Sequence, residues 1–149
     1  MISWNNNNIL IEGITNNYNQ TNKLAFFSLY GVIIDQNFTP IYSNIKEKLN
    51  ILIKNNLSII IYFNLQDPDI NIQNKIDNLI ELLEIEAKIF YTDHFNQYTK
   101  PFKTIIKHLP FPSSTFSFIC GNNQIDYKFA KNCNLKYITP DYFFMDKPN

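Results

Sequence analysis

The sequence predicts an α/β protein built on a doubly wound parallel sheet, and three observations predict it. Leu24 to Phe27 and Leu57 to Phe63 (LSIIIYF) are continuous β-branched and aromatic runs, the mark of strands buried on both faces. Between such runs stand stretches with apolar residues at helical spacing: Ile45, Leu49, Leu52 and Ile53, then Ile72, Ile76, Leu79, Ile80 and Leu83. The joining loops are a few residues long, and strands that alternate with helices over short loops pair in parallel.

Taken in order, Met1 to Asn8 is a polar lead-in (ISWNNNN), and Asn8 to Gly13 (NILIEG) is a short strand ended by its glycine. Thr15 to Asn22 is an Asn-rich loop and Lys23 to Ser28 the first strong strand. Asn37 to Ser43, with Pro40, is a loop before the helix that starts at Ile45 and stops at Asn55-Asn56. The strand Leu57 to Phe63 leads through a loop, Asn64 to Asp69, into the second helix. Ala87 to Tyr91 is a strand and Asp93 to Tyr98 a polar loop. Pro101 suits a helix N-terminus, and Phe102, Ile105, Ile106 and Leu109 give that helix its apolar face. Ser114 to Cys120 reads as a strand and Asp126 to Asn132 as a short helix, with Asn134 at its left-handed C′ position. Tyr137-Ile138 is a last strand, and Thr139-Pro140 begins the final turn.

At 149 residues the chain is expected to form one domain, 1–149, without repeats or linkers. The stretch from Gly31 to Ile45 is too short for a large cap domain. A composition 45% hydrophobic and 17% charged is that of a folded protein. The formal net charge is zero, and all thirteen cationic residues are lysines. Neutrality draws the chain to neither nucleic acid nor anionic membrane, and without arginine the usual bidentate phosphate reader is missing. Cys120 and Cys133 are too few for a disulfide framework and read as small buried hydrophobes of a reducing compartment. There is no apolar run of membrane-spanning length and no secretion-signal core, so an intracellular, non-membrane protein is expected.

The most informative stretch is KLAFFSLYGV, Lys23 to Val32. A buried strand runs into a polar turn carrying Ser28 and Tyr30 and closed by Gly31. In parallel α/β sheets the carboxyl ends of the strands are where ligands sit. This chain puts a hydroxyl and a phenol there.

The loops after the strands resemble those of haloacid-dehalogenase-type phosphatases, and more narrowly the 3′-phosphatase domain of polynucleotide kinase/phosphatase. The similarity rests on DYKFAKNCNLKYITPDYFF (Asp126 to Phe144), on YTKP (Tyr98 to Pro101), on KLAFFSLYGVII, and on Trp4 and NILIEG ahead of them. The first and longest is the most specific, and the resemblance covers nearly the whole chain. Where the family has its nucleophilic aspartate this chain has Ser28. Where the family has the general acid/base aspartate it has Tyr30, whose ordinary pKa of about 10 suits neither role. The family's threonine is replaced by Val32, and an aspartate that helps hold Mg²⁺ by Asn122. Lys100, matching a phosphate-stabilising lysine, and Asp126 keep the family's residue type, and Asn64 stands for a threonine or serine.

The resemblance therefore implies a ruined active site. Loss of a covalent nucleophile alone costs about 10⁶-fold in rate. Mg²⁺ takes carboxylate oxygens, so no metal or other cofactor is expected. The expected function is a pseudophosphatase kept as a structural or interaction subunit of a larger assembly, one that handles nucleic acid or is of viral origin. Its partner would be a protein, with nucleic acid bound weakly if at all. Two alternatives stand beside it. One is a module that binds a phosphate or nucleic-acid end through Lys100, Asn64 and Asp126 without cutting it. The other is a phosphatase with non-standard residues, Ser28 as nucleophile beside His94.

Each residue also has a plain structural reading. Ser28 is a small polar turn residue, and Tyr30 fills the space of the missing metal and carboxylate. Lys100 pairs with Asp126, or Asp126 caps the helix that follows it. Asp93-His94 lacks a third ligand for zinc. Cys120 and the cluster Tyr142, Phe143 and Phe144 belong to the core, and Lys46, Lys48 and Lys54 to a solvated helix face.

Overall fold

The chain runs β1 (Ile2–Asn7), β2 (Leu10–Thr15), β3 (Leu24–Ser28), α1 (Ile45–Lys54), β4 (Ser58–Asn64) and α2 (Ile72–Leu83). It continues with β5 (Lys88–Thr92), α3 (Lys100–Lys107), β6 (Phe118–Cys120), α4 (Gln124–Asn132), β7 (Lys136–Ile138) and α5 (Pro140–Phe144). This computed structural model describes residues 2–7, 10–65, 67–92 and 100–145, and the side chains of all of these but 7 and 100–103. The loop expected at Asp93 to Tyr98 lies outside the described residues.

One sheet holds seven strands in the order β1-β2-β5-β4-β3-β6-β7. The five strands from β5 to β7 are parallel, and β2 and β1 extend the β5 edge in antiparallel pairing. The architecture is thus α/β with a mixed, mostly parallel sheet. Successive side chains of a strand point to opposite faces, which divides the apolar residues into two cores. Ala25, Phe27, Ile59, Ile61 and Ile89 meet α1, α2 and α5 through Ile45, Leu49, Ile76, Leu79 and Phe144. Leu24, Phe26, Ile60, Tyr62 and Phe90 meet α3 and α4 through Ile105, Phe129 and Ala130. Helices therefore cover both faces, which is why the central strands read as unbroken apolar runs. No helix among the described residues is long and apolar enough to cross a membrane.

Three segments depart from the sequence reading. The lead-in is a strand, β1: Ile2 is buried, and the Trp4 ring lies over Gly13 and meets Tyr91 edge-on at 5.8 Å. Antiparallel pairing with β2 outweighs the poor strand propensity of its asparagines. Strand β6 begins only at Phe118, because the hydroxyl-rich stretch before it turns on itself: the Ser117 N–H donates to the Ser113 carbonyl at 2.9 Å. Asn123, not Asp126, caps α4. Its side-chain oxygen accepts the Asp126 N–H at 2.9 Å, which puts Asp126 in the first helical turn, where a carboxylate opposes the positive end of the helix dipole.

Candidate functional site

Strand order reverses at β3, whose neighbours are β4 on one side and β6 on the other. The crevice outside the carboxyl ends of such strands is the usual binding position in an open α/β sheet. Ser28 ends β3 opposite Tyr62, 8% exposed, and the next residue, Leu29, donates its N–H to the Tyr62 carbonyl at 3.0 Å. The chain then makes one tight helical turn, with Ile33 and Ile34 N–H both bonded to the Leu29 carbonyl. A hairpin follows, closed by the Asp35 N–H on the Thr39 carbonyl at 2.9 Å.

That turn aims Tyr30 outward and Val32 inward. Val32 is fully buried in the apolar core. The half-buried Tyr30 ring stands edge-on to Phe63 at 5.6 Å and to Phe38 at 6.3 Å. Burial, then the nearby charge of Asp69, pushes its phenol above the ordinary value, so it stays a neutral hydroxyl. Gly31 has φ +84°, and a Cβ there would fall 1.9 Å from the Asn122 side-chain nitrogen. Tyr30, Gly31 and Asn122 therefore meet at the switch point, two of them on the turn after β3 and one on the turn after β6.

Asp126 is held behind the Asn122 backbone. It is 2% exposed; its carboxylate accepts the Tyr62 hydroxyl at 2.8 Å and the Asn122 N–H at 3.1 Å. A Cβ on Gly121 would lie 2.3 Å from the Asp126 Cβ, so only glycine lets the β6–α4 turn pass so close to the helix. Burial raises the Asp126 carboxyl, and the hydrogen bonds from Tyr62, Asn122 and Asn123 oppose that. The Tyr62 hydroxyl, desolvated and next to that carboxylate, is held well above its usual value. At the end of β6, burial and then the charge of Asp126 push the Cys120 thiol up to about 12, too weakly acidic to be a nucleophile at neutral pH.

The cluster Tyr142, Phe143 and Phe144 divides. Phe144 is buried and stacks on Tyr42 at 4.8 Å, and Phe143 meets Phe27 edge-on at 5.3 Å, whereas Tyr142 is exposed. On α1, Lys46 pairs with Glu84 at 2.7 Å on the surface. Asn64 ends β4 opposite Thr92. Asp93, His94 and the Lys100 side chain lie outside the described residues.

Beside Tyr30 opens a groove of about 1080 Å³, walled by the hairpin after β3 and by the loop after β4. Its charged residues are Asp35, Asp67, Asp69 and Lys75, none of which stood out in the sequence. Asp69 takes the Lys75 ammonium at 2.8 Å and the Asn71 N–H at 2.9 Å, and the lysine's hydrogen bond above all lowers its carboxyl below the usual range. The only prior signal was Asp67-Pro68-Asp69 directly after a buried parallel strand, a position where α/β proteins bind. Among the described residues no three His, Cys, Asp or Glu side chains cluster as a metal would require. No protein-family model matches the chain, and no curated protein matches it.

Proposed function

We propose that this chain is a catalytically inactive relative of the haloacid-dehalogenase-type polynucleotide 3′-phosphatases, kept as an interaction or structural subunit. One observation carries the reading: at the switch point of the sheet the chain offers Ser28, Tyr30 and Asn122, while Asp126, the carboxylate of the turn after β6, is buried and bonded to the Tyr62 hydroxyl and the Asn122 N–H. Attack on phosphorus in that family needs a free carboxylate at the end of β3, and proton transfer needs a second one two residues on. A hydroxyl and a phenol of raised pKa supply neither. The donor set also fails to fit Mg²⁺, which asks for one or two anionic oxygens; the positions expected to hold it carry a hydroxyl, a phenol and an amide, so no step is derived through a metal. The parallel order β5-β4-β3-β6-β7 agrees with the doubly wound topology that the resemblance implies.

The test is hydrolysis of a 3′-phosphorylated oligonucleotide in Mg²⁺ by the native chain and by the double variant Ser28→Asp/Tyr30→Asp. No turnover by the native chain is expected. Turnover that survives purification and disappears in Lys100→Ala would overturn the proposal.

A further inference from the structure

The groove beside Tyr30 is charged the wrong way for a phosphate. Three carboxylates, Asp35, Asp67 and Asp69, face one ammonium, Lys75. Asp35 serves its own hairpin, accepting the N–H groups of Asn37 at 2.8 Å and Thr39 at 3.0 Å. Asp69 holds Lys75. The Asp67 carboxylate has no partner among the described residues.

Lys75 shows what the groove accommodates. While bonded to Asp69, its ammonium sits 6.0 Å from the centre of the Phe38 ring, so a cation is already held between a carboxylate and an aromatic face. Apolar surface lies in and next to the groove: Ile41 lines it and is 41% exposed, and Ile70, which follows the groove residue Asp69 in the chain, is 97% exposed. A volume of about 1080 Å³ holds several residues of an extended peptide, far more than one ion.

We infer that this groove docks a segment of a partner protein that carries an arginine or lysine between apolar residues, the cation facing Asp67 and Asp69 and the apolar neighbours covering Ile70 and Ile41. The inference rests on the proposal that the fold is kept for its surface, and it names what that surface takes. A nucleic-acid end would bring phosphates against three carboxylates. A polyamine would satisfy the charge and leave Ile70 bare.

The experiment is an NMR titration of the full chain with a blocked pentapeptide, a central arginine flanked by leucines, and with its citrulline counterpart. Saturable shifts are expected in the amides of residues 35–39, 41, 67 and 69–71. They should weaken about fivefold with citrulline, with Asp67→Asn and with Ile70→Ser, the share that one partly exposed contact supplies. Ile70 has no packing to lose, so that variant stays folded and keeps the test decisive. Binding should also weaken as salt is raised. Absence of saturable shifts to about 10 mM peptide, or equal binding of the citrulline peptide, overturns the inference. So does a groove that answers spermidine or a 3′-phosphorylated oligonucleotide and not the peptide. These outcomes are separate from the turnover assay: hydrolysis would sink the pseudophosphatase reading whatever the peptide does, and an unresponsive groove without hydrolysis would sink only the docking inference.

Discussion

Replacing Tyr62 by Phe removes one hydroxyl from the least accessible polar cluster at the switch point. The ring itself loses nothing, because its edge-on contacts with Phe129 at 5.5 Å and Phe26 at 6.4 Å need no oxygen. What disappears is the 2.8 Å hydrogen bond to a carboxylate that is 2% exposed. A hydrogen bond to a charged, buried partner is worth more than a neutral one, so Tyr62→Phe should cost about 2 kcal/mol at pH 7. In a domain of this size that lowers the melting temperature by roughly 4–8 °C. The pH dependence separates this cause from mere repacking. Burial lifts the folded-state pKa of Asp126 above its unfolded value of 3.8, so this carboxyl favours folding most when protonated. Its contribution is fully present below the unfolded pKa and is lost as pH rises through the folded one. The Tyr62 hydroxyl holds that folded pKa down, so its removal raises it further, and the variant must lose more stability than the native chain over the same climb. The difference between the two proteins should therefore shrink to about 1 kcal/mol near pH 3.5, where only a neutral hydrogen bond is at stake, and open as the pH rises above the Asp126 pKa. Urea unfolding at a series of pH values measures it. A gap of constant size from pH 3.5 to 7, or none at pH 7, would refute the assignment of a charged Asp126 to this hydrogen bond.

Two further perturbations test the scaffold around the site. Gly121→Ala places a methyl group 2.3 Å from the Asp126 Cβ and 2.7 Å from its Cγ, on a helix that cannot easily retreat. Thermal unfolding should register a loss of about 3 kcal/mol, the upper range of overpacking, and an unchanged melting temperature would show that the turn can move. Phe144→Ala empties a site that is 1% exposed and removes the stack on Tyr42, so it should cost about 3–5 kcal/mol in urea unfolding and expose residues 35–44 to limited proteolysis. Native-like resistance of that segment would mean that α5 does not hold it.

The elements that the sequence discloses are those whose local and tertiary demands coincide. The run Ser58–Asn64 is buried on both faces, so its letters leave one reading. Asn134 turns left-handed at φ 57°, as a short polar side chain after a helix does. Strand β1 is different: its asparagines favour turns, and only the alternation of Ile2 and Trp4 hinted at a strand that its partner then completes. At α4 two residues could cap, and the choice of Asn123 over Asp126 depends on Tyr62, sixty-four positions from Asp126, offering the aspartate a buried donor. The groove is the least legible feature. Its walls, at residues 35–41 and 67–69, are distant in sequence and meet because β3 and β4 are parallel neighbours that end on the same side of the sheet. No local pattern announces such a meeting.

The C-terminal stretch Asp126 to Phe144, on which the resemblance leans most, ends in residues that act on shape. The Tyr42 hydroxyl donates to Asp141 at 2.7 Å, the Asn44 amide donates to the Phe144 carbonyl at 2.6 Å, and Tyr42 lies flat on Phe144. These contacts tie α5 to the segment between the hairpin and α1, one wall of which borders the groove through Ile41. A motif that packs in this way carries information about fold and is silent about chemistry, which must be read from the side chains at the strand ends. Those side chains are a hydroxyl, a phenol and an amide, and Asp126, the one buried carboxylate among the described residues, is satisfied from within. A wall tied down by α5 beside an acidic, aromatic groove suits the docking inferred above, since a binding surface that is already ordered has less conformational entropy to lose on docking. The same α5 contacts that make the segment recognisable therefore predict where a partner would find a surface that does not have to rearrange.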